Sequence, residues 1–207
     1  MSAHSERKLV QESEWMRVYR IDARTLMYES KFLTDRLAVS ADSIKRKWPG
    51  LSDEEKLEFS RAFQAKPEVT SEDEALLDFL MEVGNLAIWI TIAPLLPRHS
   101  CRDRVLKFLL DRISEDGNMK ANFYQSIEQL RDPRALPALR AMHERYERKL
   151  CDHNKSGGEF EYQDYLSCCK ALWAIEGLAL YREAIERFAK SENDQVRLWA
   201  VALLRNE

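Results

Sequence analysis

Apolar residues recur at spacings of three and four along most of this chain, a pattern that predicts helices throughout. Residues 6 to about 47 hold no helix breaker, and Tyr19, Ala23, Leu26, Ser30, Leu33 and Leu37 keep the spacing, so one long helix or two end to end are expected. Asp42 caps a short last piece, which Trp48-Pro49-Gly50 stops, since proline and glycine together forbid continuation. Ser52-Asp-Glu-Glu55 reads as a capping box that opens a helix from 53 to about 65. Lys66-Pro67 breaks the chain, and Ser71-Glu-Asp-Glu74 repeats the capping logic before Leu76, Leu77, Leu80, Met81 and Gly84.

A pause at Gly84-Asn85 leads into Leu86 to Ala93, apolar on nearly every side and so expected between other helices; Pro94 and Pro97 kink and end it. Amphipathic helices then come in pairs. Val105, Leu106, Leu109, Leu110 and Ile113 mark one, ended by Glu115 to Asn118, and Phe123, Ile127 and Leu130 mark the next, which stops at Arg131-Asp132-Pro133. Leu136, Leu139, Met142, Tyr146 and Leu150 mark a third, before a loop over Asp152 to Glu159. Tyr162, Tyr165, Leu166, Cys169, Leu172 and Trp173 form a stripe closed by Gly177. Tyr181, Ala184, Ile185 and Phe188 follow, and Val196, Trp199, Ala200, Leu203 and Leu204 make the last helix.

Composition agrees with this reading. Six Gly and six Pro, none before Pro49, starve a β-rich fold of turns, and 207 residues suit one sizeable domain better than two thin-cored ones. The longest apolar run, Leu86 to Leu96, is about half of a membrane span, so no membrane role is expected. The charged N-terminal residues lack the apolar core of a signal peptide, which predicts a cytoplasmic protein with reduced thiols at Cys101, Cys151, Cys168 and Cys169.

Laid over one another with an offset of 45 residues, Ile127 to Leu139 and Leu172 to Ala184 match in role as helix, tight turn and amphipathic helix. Leu130-Arg-Asp-Pro-Arg-Ala-Leu-Pro-Ala-Leu139 resembles the HEAT repeat of the phycobilisome-lyase type, and Asn193 to Leu204 resembles the helix that opens such a repeat. Asp132 or Asp194 caps the following helix, Pro133 suits its first turn, and Ala135 and Ala138 permit close approach. Such a hairpin cannot bury its apolar face alone, so units stack. The expected fold is therefore all-α: an α-solenoid of HEAT-like hairpins over 72–207, with residues 1–71 as an N-terminal helical cap, in a single domain. A separate helical module over 1–71 is the alternative.

The resemblance implies that second helices of successive hairpins line a concave surface that holds a protein segment, in a non-enzymatic scaffold or adaptor. Rival readings are nucleic-acid binding, including the HEAT-like DNA glycosylases, and a bilin lyase or chaperone. The formal net charge of −3 argues against non-specific coating of nucleic acid. Charge is uneven, however: residues 98–155 carry 13 Lys and Arg against 9 Asp and Glu, between two acidic blocks. Arg102, Arg134, Arg140 and Arg148 are the candidate binding residues there, suited to an acidic partner segment. Glu144 with Arg148, Glu183 with Arg187 and Glu186 with Lys190 stand in the order favoured for solvated helix pairs.

No catalytic constellation emerges. His99-Ser-Cys101 and Cys151-Asp-His153 have spacings too tight for an ordinary zinc site, and His143-Glu144 matches only one of the several His-Glu pairs that iron-binding HEAT hydroxylases use, so no metal or cofactor is expected. Trp89, Trp173 and Trp199 are assigned to the core.

Overall fold

The computed structural model describes residues 41–66, 68–151 and 158–205. The expected helical stretch before residue 41, and residues 152–157 of the expected loop, lie outside them. Among the described residues every regular element is helical, with no strand. The chain divides into two compact units, Met1–Pro67 and Glu68–Glu207.

In the first unit, α1 (Ala41–Lys47) runs into a 3₁₀ turn, Trp48–Gly50, and then α2 (Asp53–Gln64). The predicted capping box is present: the Ser52 hydroxyl accepts the Glu55 N–H at 3.3 Å while the Glu55 carboxylate accepts the Ser52 N–H at 2.8 Å. Trp48 meets Phe59 edge-on at 6.0 Å, and Phe59 stacks on Phe63 at 6.1 Å.

The second unit opens with α3 (Ser71–Val83). Its capping box sits one residue earlier than expected: Thr70, not Ser71, accepts the Asp73 N–H, and Asp73 returns the bond to the Thr70 N–H. Glu74 is thereby free for a distant task, and its carboxylate accepts both the N–H and the hydroxyl of Ser100. Gly84 closes α3, and Asn85 caps α4 (Leu86–Ile92). Then follow a 3₁₀ turn at Ala93–Arg98, α5 (Arg102–Ser114), α6 (Ala121–Leu130), a 3₁₀ turn at Pro133–Ala135, α7 (Leu136–Cys151), α8 (Glu159–Glu176), α9 (Ala179–Phe188) and α10 (Asp194–Arg205). The cap of α10 is Asn193, whose side-chain oxygen accepts from Gln195 and Val196, where Asp194 was the sequence candidate. Glu159, expected in the loop, opens α8.

Packing runs between elements one or two places apart in the chain: α5 on α6 and α7, α6 on the Ala93–Arg98 turn and α8, and α8 on α7, α9 and α10. Helix α8 is therefore enclosed, and every residue from Asp164 to Leu172 is buried. This corrects the expected one-sided stripe. The helix expected to be surrounded, α4, instead leaves Leu86 44% exposed, because its neighbours cover only the face of Ile88 and Ile92. None of the three tryptophans named above is fully buried. Trp89 donates to the Leu80 carbonyl at 3.2 Å and lies under the Arg112 guanidinium at 4.4 Å.

One long-range hydrogen bond repairs damage done by proline, and a second reinforces the turn beside it. Pro94 lacks an N–H group, which deprives the carbonyl four residues earlier, Ile90 in α4, of its helical donor, whereas Ala93 opens the 3₁₀ turn, where carbonyls take the N–H three residues on. Asn122 Nδ2 donates to the Ile90 carbonyl at 2.9 Å, and Ser126 Oγ donates to the Ala93 carbonyl at 2.7 Å, from adjacent turns of α6. Ser126 is wholly buried. Replacing it with alanine removes a buried hydrogen bond and is expected to cost about 1 kcal/mol in urea unfolding, whereas a change under about 0.3 kcal/mol would show the bond to be dispensable.

Candidate functional site

Helix α7 carries Leu139, Met142 and Tyr146 inward as its periodicity requires, and His143 follows Met142 onto the edge of the same face. Helix α9 buries Tyr181, Ala184 and Ile185, with Leu180, Glu183 and Arg187 alongside. Between the two helices lies an open groove of about 720 Å³, lined by His143 and Glu147 on one wall and by Leu180, Glu183, Glu186 and Arg187 on the other, with Lys190 just past the end of α9.

His143 meets the Tyr181 ring at 5.3 Å, which brings the two walls together at that point. Further on, Glu147 and Arg187 both act on the Tyr165 hydroxyl and the Cys169 thiol beneath.

At the floor, the His143 ring is wedged between Tyr165, at 5.4 Å, and Tyr181. Burial pushes this imidazole below its ordinary range, against the pull of Glu147 and Glu144, so it is neutral at neutral pH. Its Nδ1 lies 3.7 Å from the Glu147 carboxylate, and its Nε2 is buried without a hydrogen-bond partner. Glu147 therefore faces an uncharged ring. Burial also pushes the Cys169 thiol up to about 12, which makes it a packing group in place of a nucleophile.

The four arginines singled out in the sequence do not converge on this groove. Arg134 is bound by Asp132 (2.6 Å) and Asp103 (2.8 Å), and exposed Arg102, opening α5, adds its charge beside Asp132. Arg140 is ion-paired with Glu176 at the end of α8, and Arg148 donates to the carbonyl of Glu144 in its own helix. Arg145 binds Asp116 at 2.6 Å, Lys149 binds Glu161, and Arg104 binds Asp78 at 2.9 Å. Much of the basic block is thus neutralised by carboxylates from neighbouring elements.

The expected pairs along α9 are different. Arg182 takes Glu186 at 2.9 Å, and among the described residues no ion pair joins Glu183 to Arg187 or Glu186 to Lys190. Glu186 thus spends its charge on Arg182 at the groove's edge, while Glu183, Arg187 and Lys190 keep theirs among the described residues. The repeat offset carried the signal that sequence reasoning passed over, because it aligns α7 with α9 as second helices.

Among the described residues His99 and Cys101 do not form part of a metal centre. His99 Nδ1 accepts the Cys101 N–H at 2.9 Å, and its buried Nε2 lies 3.3 Å from Asp78 without a hydrogen bond. The side chains of Cys151 and His153 lie outside the described residues. Among the described residues no group of three or more His, Cys, Asp or Glu is placed to hold a metal ion, and no helix is long and apolar enough to cross a membrane. Comparison with known proteins finds no match: no family model, no curated protein and no solved structure.

Proposed function

We propose that this chain is a protein-interaction module, a stack of HEAT-like hairpins that holds a partner segment across second helices. The observation that carries the proposal is the mixed charge of the α7–α9 groove. A nucleic-acid channel presents continuous positive potential, whereas Glu147 and Glu183 interrupt Arg187 and Lys190 here. The pairing of Arg134, Arg140 and Arg145 with carboxylates further favours protein over nucleic acid.

The stacking reading draws support from two features. Packing between elements one or two places apart is what a quasi-one-dimensional stack requires. The turns α6–α7 and α8–α9 both open on a left-handed residue, Arg131 (φ 50°) and Gly177 (φ 75°), each returning its N–H to a carbonyl four residues back. The partner surface is then the groove between α7 and α9, the second helices of those hairpins.

A displayed library of helical peptides panned on the full chain should enrich binders that lose capture on the Glu183→Lys/Arg187→Glu variant. Fluorescent duplex DNA should show no salt-dependent binding between about 50 and 200 mM salt. Failure to enrich any peptide, together with DNA binding that weakens steeply with salt, would replace this reading with a nucleic-acid one.

A further inference from the structure

Resting on that reading, we infer that the groove recognises an amphipathic helix whose contact face presents, turn by turn, an apolar, a basic and an acidic residue. Along the α9 wall stand Leu180, Glu183 and Arg187, at spacings of three and four, with Glu186, already paired with Arg182, beside Arg187 and with Lys190 in the turn just past the helix end at Phe188. These are the spacings of one face of a helix, and the three helical positions span about 10 Å. A partner helix lying alongside meets them at matching levels, the helix-in-groove mode of recognition.

Each level has its own chemistry. Leu180 is 51% exposed, and Leu178 beside the α9 start is 44% exposed, so this end offers an apolar shelf. At the next level Glu183 has no ion-pair partner among the described residues, so a carboxylate awaits a cation. At the far end Arg187 and Lys190 are likewise without ion-pair partners among the described residues and await a carboxylate. The pairing of the neighbouring arginines makes the contrast: Arg140 and Arg182 have Glu176 and Glu186. The acidic segment suited to the arginine block becomes a segment of mixed charge in fixed order.

Two synthetic helical peptides of identical composition test the order. One carries Leu, Lys and Glu at successive turns of one face, and the other Leu, Glu and Lys; binding of each to the full chain is followed by fluorescence anisotropy. The first should bind at least about tenfold tighter. The doubly exchanged variant Glu183→Lys/Lys190→Glu should reverse that preference, with its helical circular dichroism checked against the parent. Amide shifts in NMR should fall on α7 and α9.

Equal affinity of the two peptides, or a preference that the exchange leaves in place, overturns the ordered register. Binding that maps elsewhere overturns the groove while sparing the protein-interaction reading, which stands or falls on the library selection. Absence of binding by both peptides, when selected library peptides do bind, also overturns the register.

Discussion

Replacing Gly84 with alanine should lower stability by about 2–3 kcal/mol and the melting temperature by about 5–10 °C. The α3–α4 junction leaves no room for a methyl group. A Cβ at residue 84 would sit 2.5 Å from the Leu80 carbonyl oxygen and 2.6 Å from Trp89 Nε1. The first is backbone of the preceding turn, and the second belongs to an indole that donates to that same carbonyl at 3.2 Å. Relief requires the indole to leave, breaking its hydrogen bond and disturbing Phe108, edge-on at 5.9 Å, and Arg112 above the ring. Gly50→Ala is the control, since nothing lies within 4 Å of a Cβ there. Thermal unfolding by circular dichroism reads both, and a Gly84→Ala variant within about 0.5 kcal/mol of the parent would contradict the tight junction.

Asp164→Asn should remove a pH dependence that the parent protein shows. Asp164 is wholly buried on α8, and one carboxylate oxygen accepts the Lys120 N–H at 2.6 Å at the start of α6. Lys120 is 4% exposed, and its ammonium group donates to the Ile113 carbonyl at 2.9 Å and to that of Glu115, closing α5. Burial pushes the Asp164 carboxyl up to about 7, against bonds from the Lys120, Ala121 and Met119 N–H groups and the attraction of the Lys120 charge.

The folded protein thus holds a proton that the unfolded chain releases near pH 4. Between about pH 4 and pH 7 the native state binds more protons than the unfolded one, so this group's contribution declines as pH rises through that window. The decline amounts to at most ~4 kcal/mol. Asparagine keeps an acceptor and never ionises, so the variant should gain on the parent from pH 4 to pH 8. Alanine removes the acceptor and should cost about 2–4 kcal/mol even at pH 4. Urea titrations across the range test both, and an unchanged pH slope in the asparagine variant would refute the assignment.

Features that depend on neighbours in sequence were readable in advance. The Ser52–Glu55 box, the helix stop at Gly177 and the run of helices after residue 101 all follow from patterns within about ten residues. What escaped was set by partners far along the chain. The enclosure of α8 arises because four other helices meet on it, which its own stripe could not announce. Asp164 caps a helix that begins 43 residues earlier, and Asn122 and Ser126 serve carbonyls in α4 and the turn after it. The candidate site divides in the same way. The excess of arginines from 98 to 155 was visible, but the carboxylates that neutralise Arg134, Arg140 and Arg145 come partly from other elements, so the uncommitted charges lie on α9.

The proline repair ties a pair of positions into a single unit of change. If residue 94 became an ordinary amino acid, its restored N–H would compete for the Ile90 carbonyl and Asn122 would lose much of its purpose. Substitution at one member should therefore be tolerated chiefly alongside substitution at the other. For a chain that matches no family model, this linked pair, about thirty residues apart, offers a fingerprint by which distant relatives can be recognised.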